Sequence, residues 1–197
     1  MLSVFYLSKR KYLNTDDERI LLHDIKLNPQ RFGELYDAYY EPIFSYIFRR
    51  LGDYELTRDI ASETFMKAYL KIGAFEWKGV SIVYWLFRIA TNEINLYFRN
   101  KKYSSRFLQH VISKGVFDLI HGHSEENALL ESELQQHKEF IAIQSALKCL
   151  KIPYQEVIAL RYFEQKSIKD ISLILNKKEG TIKSLLSRGI ESLKNLL

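Results

Sequence analysis

Residues 167–197 read SIKDISLILNKKEGTIKSLLSRGIESLKNLL, and this stretch decides the fold of the C-terminal part of the chain. Its apolar residues recur at helical spacing: Ile168, Ile171, Ile174, Leu175, Ile182, Leu185, Leu186, Ile190, Leu193 and Leu197. Ser167 is a suitable N-cap with Asp170 three residues later, and Asn176 can take the left-handed conformation that ends a helix. Two helices joined by a turn of about three residues form a helix-turn-helix.

The second of these helices presents polar and basic side chains opposite its apolar stripe. They are Glu179, Thr181, Lys183, Ser184, Ser187 and Arg188. Hydroxyl and basic side chains on such a face can contact phosphates and base edges in the major groove of DNA. A solvated amphipathic helix gives the same pattern, because charged outer faces are common. The short preceding helix and the tight turn favour DNA binding.

The same helical periodicity extends over the N-terminal half of the chain. Residues 28–103 predict three helices, at about 32–51, 54–72 and 82–102, with a loop at 73–81. Apolar residues make up 47% of the 197 residues, and there are only eight glycines and three prolines. This composition predicts packed helical cores rather than disorder.

Four parts can be distinguished along the chain. Residues 1–27 are an N-terminal extension, whose aromatic-rich start is expected to be a packing strand or an extension rather than a membrane anchor, and residues 28–103 and 137–197 are helical domains. Residues 104–136, which lack periodicity and contain acidic residues and two glycines, form a flexible linker. The predicted fold is all-α: two small helical domains joined by that linker.

Several function classes are disfavoured by composition. The one cysteine, Cys149, excludes an intrachain disulfide and is predicted to be a buried small hydrophobe. His121 and His123 have no third ligand nearby, so we expect no metal and no cofactor. There is no P-loop and no Ser-His-Asp pattern. Apolar runs are far shorter than the roughly 20 residues of a membrane span, and no signal peptide is evident. We expect a cytoplasmic protein that is not an enzyme and has no membrane partner.

Segments of both domains resemble one family. The pieces IPYQEVIALRYF, DISLIL and GTIKSLLSR resemble the C-terminal domain of extracytoplasmic-function sigma factors of bacterial RNA polymerase. Alone, they also resemble the DNA-binding domain of LuxR-type response regulators. The segments FGELYDAYYEPIFSYIFRRLGD, TRDIASETFMKAYLKI and WLFRIATNEINLYFRNKK resemble the N-terminal sigma domain, in the right order. The pair of matches favours the sigma factors.

The resemblance implies a function without catalytic chemistry of the chain's own. Such a factor binds core RNA polymerase, recognises the −35 and −10 promoter elements and promotes DNA melting to initiate transcription. The polymerase supplies the active site and the magnesium. Core polymerase and promoter DNA are therefore the implied partners, and an anti-sigma protein is a possible one.

The segment TRDIASETFMKAYLKI resembles the helix that docks on the polymerase clamp. Asp59, Ser62, Glu63 and Met66 lie three or four residues apart and therefore on one helical face. The resemblance implies that they contact polymerase, with Asp59 and Glu63 as the main contacts. The family often has Gln at the position of Ser62. The alternative is a merely solvated acidic face.

The segment WLFRIATNEINLYFRNKK resembles the part that reads and melts the −10 element. Melting requires planar groups that receive an unstacked base and positive charge that holds the single strand. The implied contacts are Trp77, Arg88, Asn92, Asn95, Arg99, Lys101 and Lys102. Trp77 lies in the loop whose family equivalent captures a flipped base, and either base stacking or packing accounts for it. Trp85 is expected in the core.

The resemblance assigns −35 recognition to the exposed face of residues 179–188. This chain departs from the family pattern at three positions. It has Lys177 where an apolar residue is common, Lys178 where a Ser N-cap is common, and Leu185 where many relatives have Arg. The missing cap could cost about 1 kcal/mol of helix stability. Two other functions fit the helical pattern: a dimeric helix-turn-helix regulator and a helical adaptor that binds only protein.

Overall fold

The computed structural model describes residues 13–102 and 142–196, and every regular element in those ranges is helical. The first domain contains α1 (Thr15–Leu27), α2 (Phe32–Leu51), α3 (Tyr54–Lys71) and α4 (Ile82–Lys102). The second contains α5 (residues 142–149), α6 (Ile152–Ile158, continued by a π turn at Ala159–Phe163), α7 (Ile168–Leu175) and α8 (Glu179–Lys194). The all-α prediction is confirmed. The predicted linker, residues 104–136, lies outside the described residues.

The core of the first domain forms where α2, α3 and α4 pack on one another. Leu35, Ile43 and Ile47 of α2 are fully buried. Left-handed Gly52 (φ 60°) ends α2, and the carboxylate of Asp53 then caps α3 by accepting from the Leu56 N–H at 2.9 Å. The residues between α2 and α3 thus specify both the end of α2 and the start of α3.

The helix α1 was not predicted. Asn14 caps it by accepting from the N–H groups of the first turn. Leu21, Leu22 and Ile25 then bury against the first-domain core, at 6%, 4% and 1% exposure. An apolar stripe of three residues is too short to identify a helix from sequence, and packing supplies most of the stability of a short helix.

The helix-turn-helix of the second domain has the predicted local structure. Ser167 and Asp170 form a reciprocal capping box at the start of α7, and Asn176 ends this helix at φ 52°. Burial raises the pKa of Asp170, but hydrogen bonds from Ser167 and Tyr84 outweigh it, so the pKa lies below its usual value. The carboxylate is therefore ionised when it caps α7. By contrast, α8 begins after Lys178 without a side-chain cap.

Replacing Ser167 with alanine should lower the free energy of unfolding by about 1 kcal/mol, because the box is lost. Ser167 Oγ accepts from the Asp170 N–H at 3.1 Å, and the Asp170 carboxylate accepts from the Ser167 N–H at 3.0 Å. The matched control is Ser187→Ala, at an exposed position inside α8. Urea unfolding measures both variants. Equal losses in the two would show that the box adds no stability.

The two domains pack against each other through cationic contacts. Arg49 of α2 is 6% exposed, donates to the Phe163 carbonyl at 3.2 Å and lies 5.2 Å from the Phe163 ring centroid. The Lys166 ammonium lies 5.4 Å from the ring centroid of Tyr84 and 5.3 Å from that of Phe87, both in α4. Cations over aromatic faces are stabilising when they are shielded from water. Buried residues of both domains form one continuous cluster.

The prediction that Cys149 is buried is wrong. Cys149 is exposed at the end of α5, and the next residue, Leu150, takes the buried position at 6% exposure. The helical spacing of apolar residues defines the buried face only to within about one residue near a helix end. Across the described ranges, no helix is both long enough and apolar enough to cross a bilayer.

Candidate functional site

One face of α3 carries the residues predicted to contact polymerase. Asp59, Ser62, Glu63 and Met66 are all exposed, and Met66 is 56% exposed. The opposite face buries Ile60, Thr64, Phe65 and Ala68 in the core. The structure therefore brings the four predicted residues together on a surface that is open to a partner.

Lys67 links this acidic face to α4. Its ammonium lies 3.1 Å from the Glu63 carboxylate and 2.5 Å from that of Glu93 in α4. The hydrogen bond to Glu93 is the main reason that the pKa of Lys67 is raised. Lys67 is therefore charged and ties α3 to α4. The Asp59 carboxylate remains on the same exposed face as Glu63.

Exposed apolar side chains continue this face beyond Met66. Tyr69 is 44% exposed and Leu70 is 71% exposed. These two residues were not among the predicted contacts, although both lie off the apolar stripe of α3. Large apolar side chains grouped on a surface mark protein interfaces. The α3 face is thus an acidic patch beside an apolar one, which suits a basic partner with an apolar ridge.

The loop between α3 and α4 borders a cleft of about 390 Å³. The cleft is lined by Lys71, Ala74, Phe75, Glu76, Lys78 and Trp85. The rings of Phe75 and Trp85 are 4.8 Å apart. Trp85 is half-buried, because it lines the cleft as well as packing on the core. An opening with aromatic walls and lysines at its rim can accept a planar base with its phosphate.

Trp77 is half-buried in the same loop and packs against the core. Its indole Nε1 is buried, and no hydrogen-bond acceptor for it lies among the described residues. Buried indole N–H groups usually have an acceptor. Trp77 therefore packs on the core and still has an indole N–H that a bound ligand could accept from.

The helix α4 presents its predicted DNA-binding residues along one stripe. Arg88, Asn92, Asn95 and Arg99 follow one another at intervals of four, three and four residues. Asn92 and Arg99 are exposed. Lys101 and Lys102 belong to the last turn of α4, and their side chains lie outside the described residues.

Arg88 and Asn95 instead contact the second domain. The Arg88 guanidinium donates to the carbonyls of Leu173 and, at 3.0 Å, Ile174, at the C-terminal end of α7. Carbonyls in the last turn of a helix have no intrahelical donor, and a cation suits the negative end of the helix dipole. Asn95 donates to the Glu156 carboxylate at 2.7 Å.

Asn95 also links that contact to a buried cation. Arg50 is fully buried, and its guanidinium lies 3.4 Å from the Asn95 amide oxygen and 3.3 Å from the Tyr46 hydroxyl. Asn95 thus bridges Arg50 and Glu156. This bridge could not be predicted from the sequence, because a charged residue at the end of α2 is expected to be solvated.

The predicted DNA-binding face of α8 is fully presented to solvent. Glu179, Thr181, Lys183, Ser184, Ser187 and Arg188 are all exposed. On the opposite side Ile182 and Leu186 are buried, and Gly189 lets α8 approach α6 closely. A Cβ at Gly189 would lie 3.1 Å from side-chain atoms of Tyr154 and Ile158. The close contact packs α8 against α6 and leaves its polar face outward.

Family profiles match the two domains in order. The profile described as Sigma-70 region 2 matches residues 35–103, and the profile described as Sigma-70, region 4 matches residues 140–193. The SigW protein of Bacillus subtilis, an ECF RNA polymerase sigma factor, is 33% identical over 180 residues, which cover 84% of this chain and 88% of SigW. The chain belongs to the extracytoplasmic-function sigma factors.

A second relative of this sigma factor is the ECF RNA polymerase sigma factor BldN of Streptomyces coelicolor. It is 33% identical over 167 residues, and the match covers 84% of this chain but only 60% of BldN. Among solved structures, the sigma factor RpoE of Bartonella quintana, crystallised with the anti-sigma factor NepR, is 26% identical. The similarity covers 84% of this chain and 95% of RpoE, with a TM-score of 0.57.

Membership fixes the general activity of this sigma factor. It is not an enzyme but an RNA polymerase sigma factor that initiates transcription, and its two matched regions imply binding to core polymerase and promoter DNA. The DNA-binding interpretation of the helix-turn-helix is thereby confirmed at the level of the domain. The two matched regions also exclude the rival interpretations as a simple regulator or an adaptor.

Proposed function

We propose that the sigma factor divides promoter recognition between its domains, with α8 on the −35 element and α4 with the preceding loop on the −10 element. The observation that carries this proposal is the α8 face, where six polar side chains are exposed and the opposite side is buried. A helix held in this way can enter a major groove without rearrangement.

On α8, Lys183 and Arg188 supply positive charge, and Thr181, Ser184 and Ser187 supply hydroxyl groups. Basic side chains bind phosphates and hydroxyls bind phosphates or base edges. The exposed Lys177 and Lys178 precede a first turn whose N–H groups have no side-chain cap. Those N–H groups can bind a phosphate of the same groove.

On the first domain, the cleft beside Phe75 and Trp85 accepts an unstacked base of the −10 element. Trp77, in the same loop, supplies a further stacking face for this base, while Asn92 and Arg99 on α4 hold the strand that carries it. Stacking on aromatic side chains contributes about 1–3 kcal/mol per base. That energy offsets the few kcal/mol needed to extrude a base from the duplex.

Arg88 and Asn95 can join this DNA surface only after the second domain leaves α4. Their donors are bound to carbonyls of α7 and to Glu156 while the two domains are packed together. Their assignment to the −10 element therefore applies to the polymerase-bound, opened chain. Lys101 and Lys102, at the end of the same helix, are proposed as phosphate contacts.

On α3, the exposed Asp59, Ser62, Glu63 and Met66 are proposed to bind core polymerase. Because the sigma factor acts together with polymerase, we place it in the cytoplasm. An anti-sigma protein is a further proposed partner, since the similar RpoE was crystallised with the anti-sigma factor NepR.

Trp77→Ala tests the division of labour in the intact holoenzyme. We expect the variant to bind core polymerase and protect the −35 region normally. The permanganate reactivity of thymines near −10 should be about tenfold lower, because one stacking contact is worth about 1–3 kcal/mol. Val80→Ala, which changes another exposed residue of the same loop, is the control. Normal melting by Trp77→Ala would contradict this role for the loop.

A further inference from the structure

The helix α1 lies outside the matched sigma region, which begins at residue 35. It nevertheless packs on the short helical turn Ile72–Ala74, which opens the loop between α3 and α4, residues 73–81, here called the melting loop. Leu21, Leu22 and Ile25 fix α1 to the core, so its polar side chains are held at defined positions. Two of them, Glu18 and Lys26, contact opposite ends of residues 75–81.

Glu18 holds the C-terminal end of the loop. It is 1% exposed, and its carboxylate accepts hydrogen bonds from three groups. These are the Tyr39 hydroxyl, the Ser81 hydroxyl at 2.6 Å and the Ile82 N–H at 3.1 Å. The last bond places a negative charge on the first N–H of α4, where the helix dipole favours it.

Lys26 holds the N-terminal end. Its ammonium donates to the Phe75 carbonyl at 2.8 Å. Residues 18 and 26 are eight positions apart, which is about 12 Å along a helix. One rigid helix therefore sets the distance between the two ends of the loop.

The part of the loop between these anchors carries Trp77 and the left-handed Gly79, at φ 75°. Glu76, Lys78 and Val80 are exposed there. A short segment with exposed side chains is ordered mainly by its ends. The position of Trp77, which also packs against the core, and of the cleft wall at Phe75 thus depends in part on the two contacts to α1.

We propose that α1 positions the melting loop of this sigma factor, with Glu18 and Lys26 as positioning residues that do not touch DNA. The inference rests on the proposed role of the loop in −10 recognition. Fixing the loop before DNA arrives removes an ordering cost from base capture. Loss of either anchor therefore weakens capture of the −10 strand and leaves polymerase and −35 binding intact.

The test compares Glu18→Gln and Lys26→Met in the full-length holoenzyme, on a promoter that the unaltered protein opens. We expect open-complex formation and affinity for the non-template −10 strand to fall by about tenfold or more, the size expected from one charged hydrogen bond. Affinity for core polymerase and protection of the −35 region should stay within about twofold. Lys26→Arg should restore opening, because it keeps the donor.

Two controls separate positioning from charge and from folding. Arg19→Met removes the same charge from an exposed site on α1 and should have no effect. Glu18→Gln removes a negative charge, so simple electrostatics would strengthen DNA binding, whereas loss of positioning weakens it. Lys26 is exposed, so Lys26→Met should keep the helical content and cooperative unfolding of the unaltered protein.

Trp77→Ala in the same assay distinguishes two kinds of failure. If it impairs opening while Glu18→Gln and Lys26→Met open the promoter normally, α1 does not position the loop. If Trp77→Ala opens normally as well, the role of the loop itself is wrong. Parallel loss of core polymerase binding in Lys26→Met would also overturn the inference, since it would indicate a general defect of the domain.

Discussion

Reversing the charge of Asp59 and Glu63 together, as Asp59→Lys with Glu63→Lys, is expected to weaken binding to core polymerase by about 100-fold or more. Both carboxylates are exposed on one face of α3, beside the apolar side chains of Met66 and Tyr69. Like charges placed opposite each other at an interface cost several kcal/mol, and each 1.4 kcal/mol is a factor of ten. Titration of labelled core polymerase with the purified protein, in the absence of DNA, measures the change.

The control carries the same change in charge on the other domain. Glu179 and Glu191 are exposed on α8, and Glu179→Lys with Glu191→Lys should bind core polymerase normally. Both double variants should retain the helical content and cooperative unfolding of the unaltered protein. Undiminished binding by the α3 variant would remove the basis for the proposed polymerase surface.

Replacing Lys183 and Arg188 with alanine is expected to reduce protection of the −35 element by tenfold or more. A good contact from an arginine to DNA contributes about 1–3 kcal/mol. Removing a side chain that binds a phosphate should also make the salt dependence of binding shallower, by about one unit of slope per phosphate. Both side chains lie on the exposed face of α8, where their replacement should leave packing of the helix unchanged. Footprinting of the holoenzyme at several salt concentrations gives affinity and slope together.

Lys194→Ala serves as the comparison for this variant. Lys194 is in the last turn of α8, outside the predicted face, and its replacement should change neither affinity nor slope. If the double variant and Lys194→Ala behaved alike, DNA recognition would have to lie elsewhere on the second domain. Binding to core polymerase should be the same in all of these proteins.

Local sequence signals specified most of the fold. The capping pair Ser167 and Asp170 and the left-handed Asn176 each determine a helix end through neighbouring backbone groups. Such signals act within a few residues and can be identified without knowledge of the tertiary structure. The helix α1 was not predicted from the sequence, because its short apolar stripe gains stability only through packing.

The exposed faces of α3 and α8 were also predictable, because a residue off an apolar stripe faces solvent by default. Contacts between distant segments were not predictable from one sequence. Arg88 meets Ile174 across 86 positions, and Glu18 meets Ser81 across 63. A charged residue on a helix gives no sign, in sequence, of the carbonyl or hydroxyl that packing will place beside it.

The most direct test of the central claim is run-off transcription with purified core polymerase, the intact chain and fragments of the source genome. We predict discrete transcripts that core polymerase alone does not make and that disappear with the Asp59→Lys, Glu63→Lys variant. Identical products with and without the chain, over a fragment set that covers the genome, would contradict it.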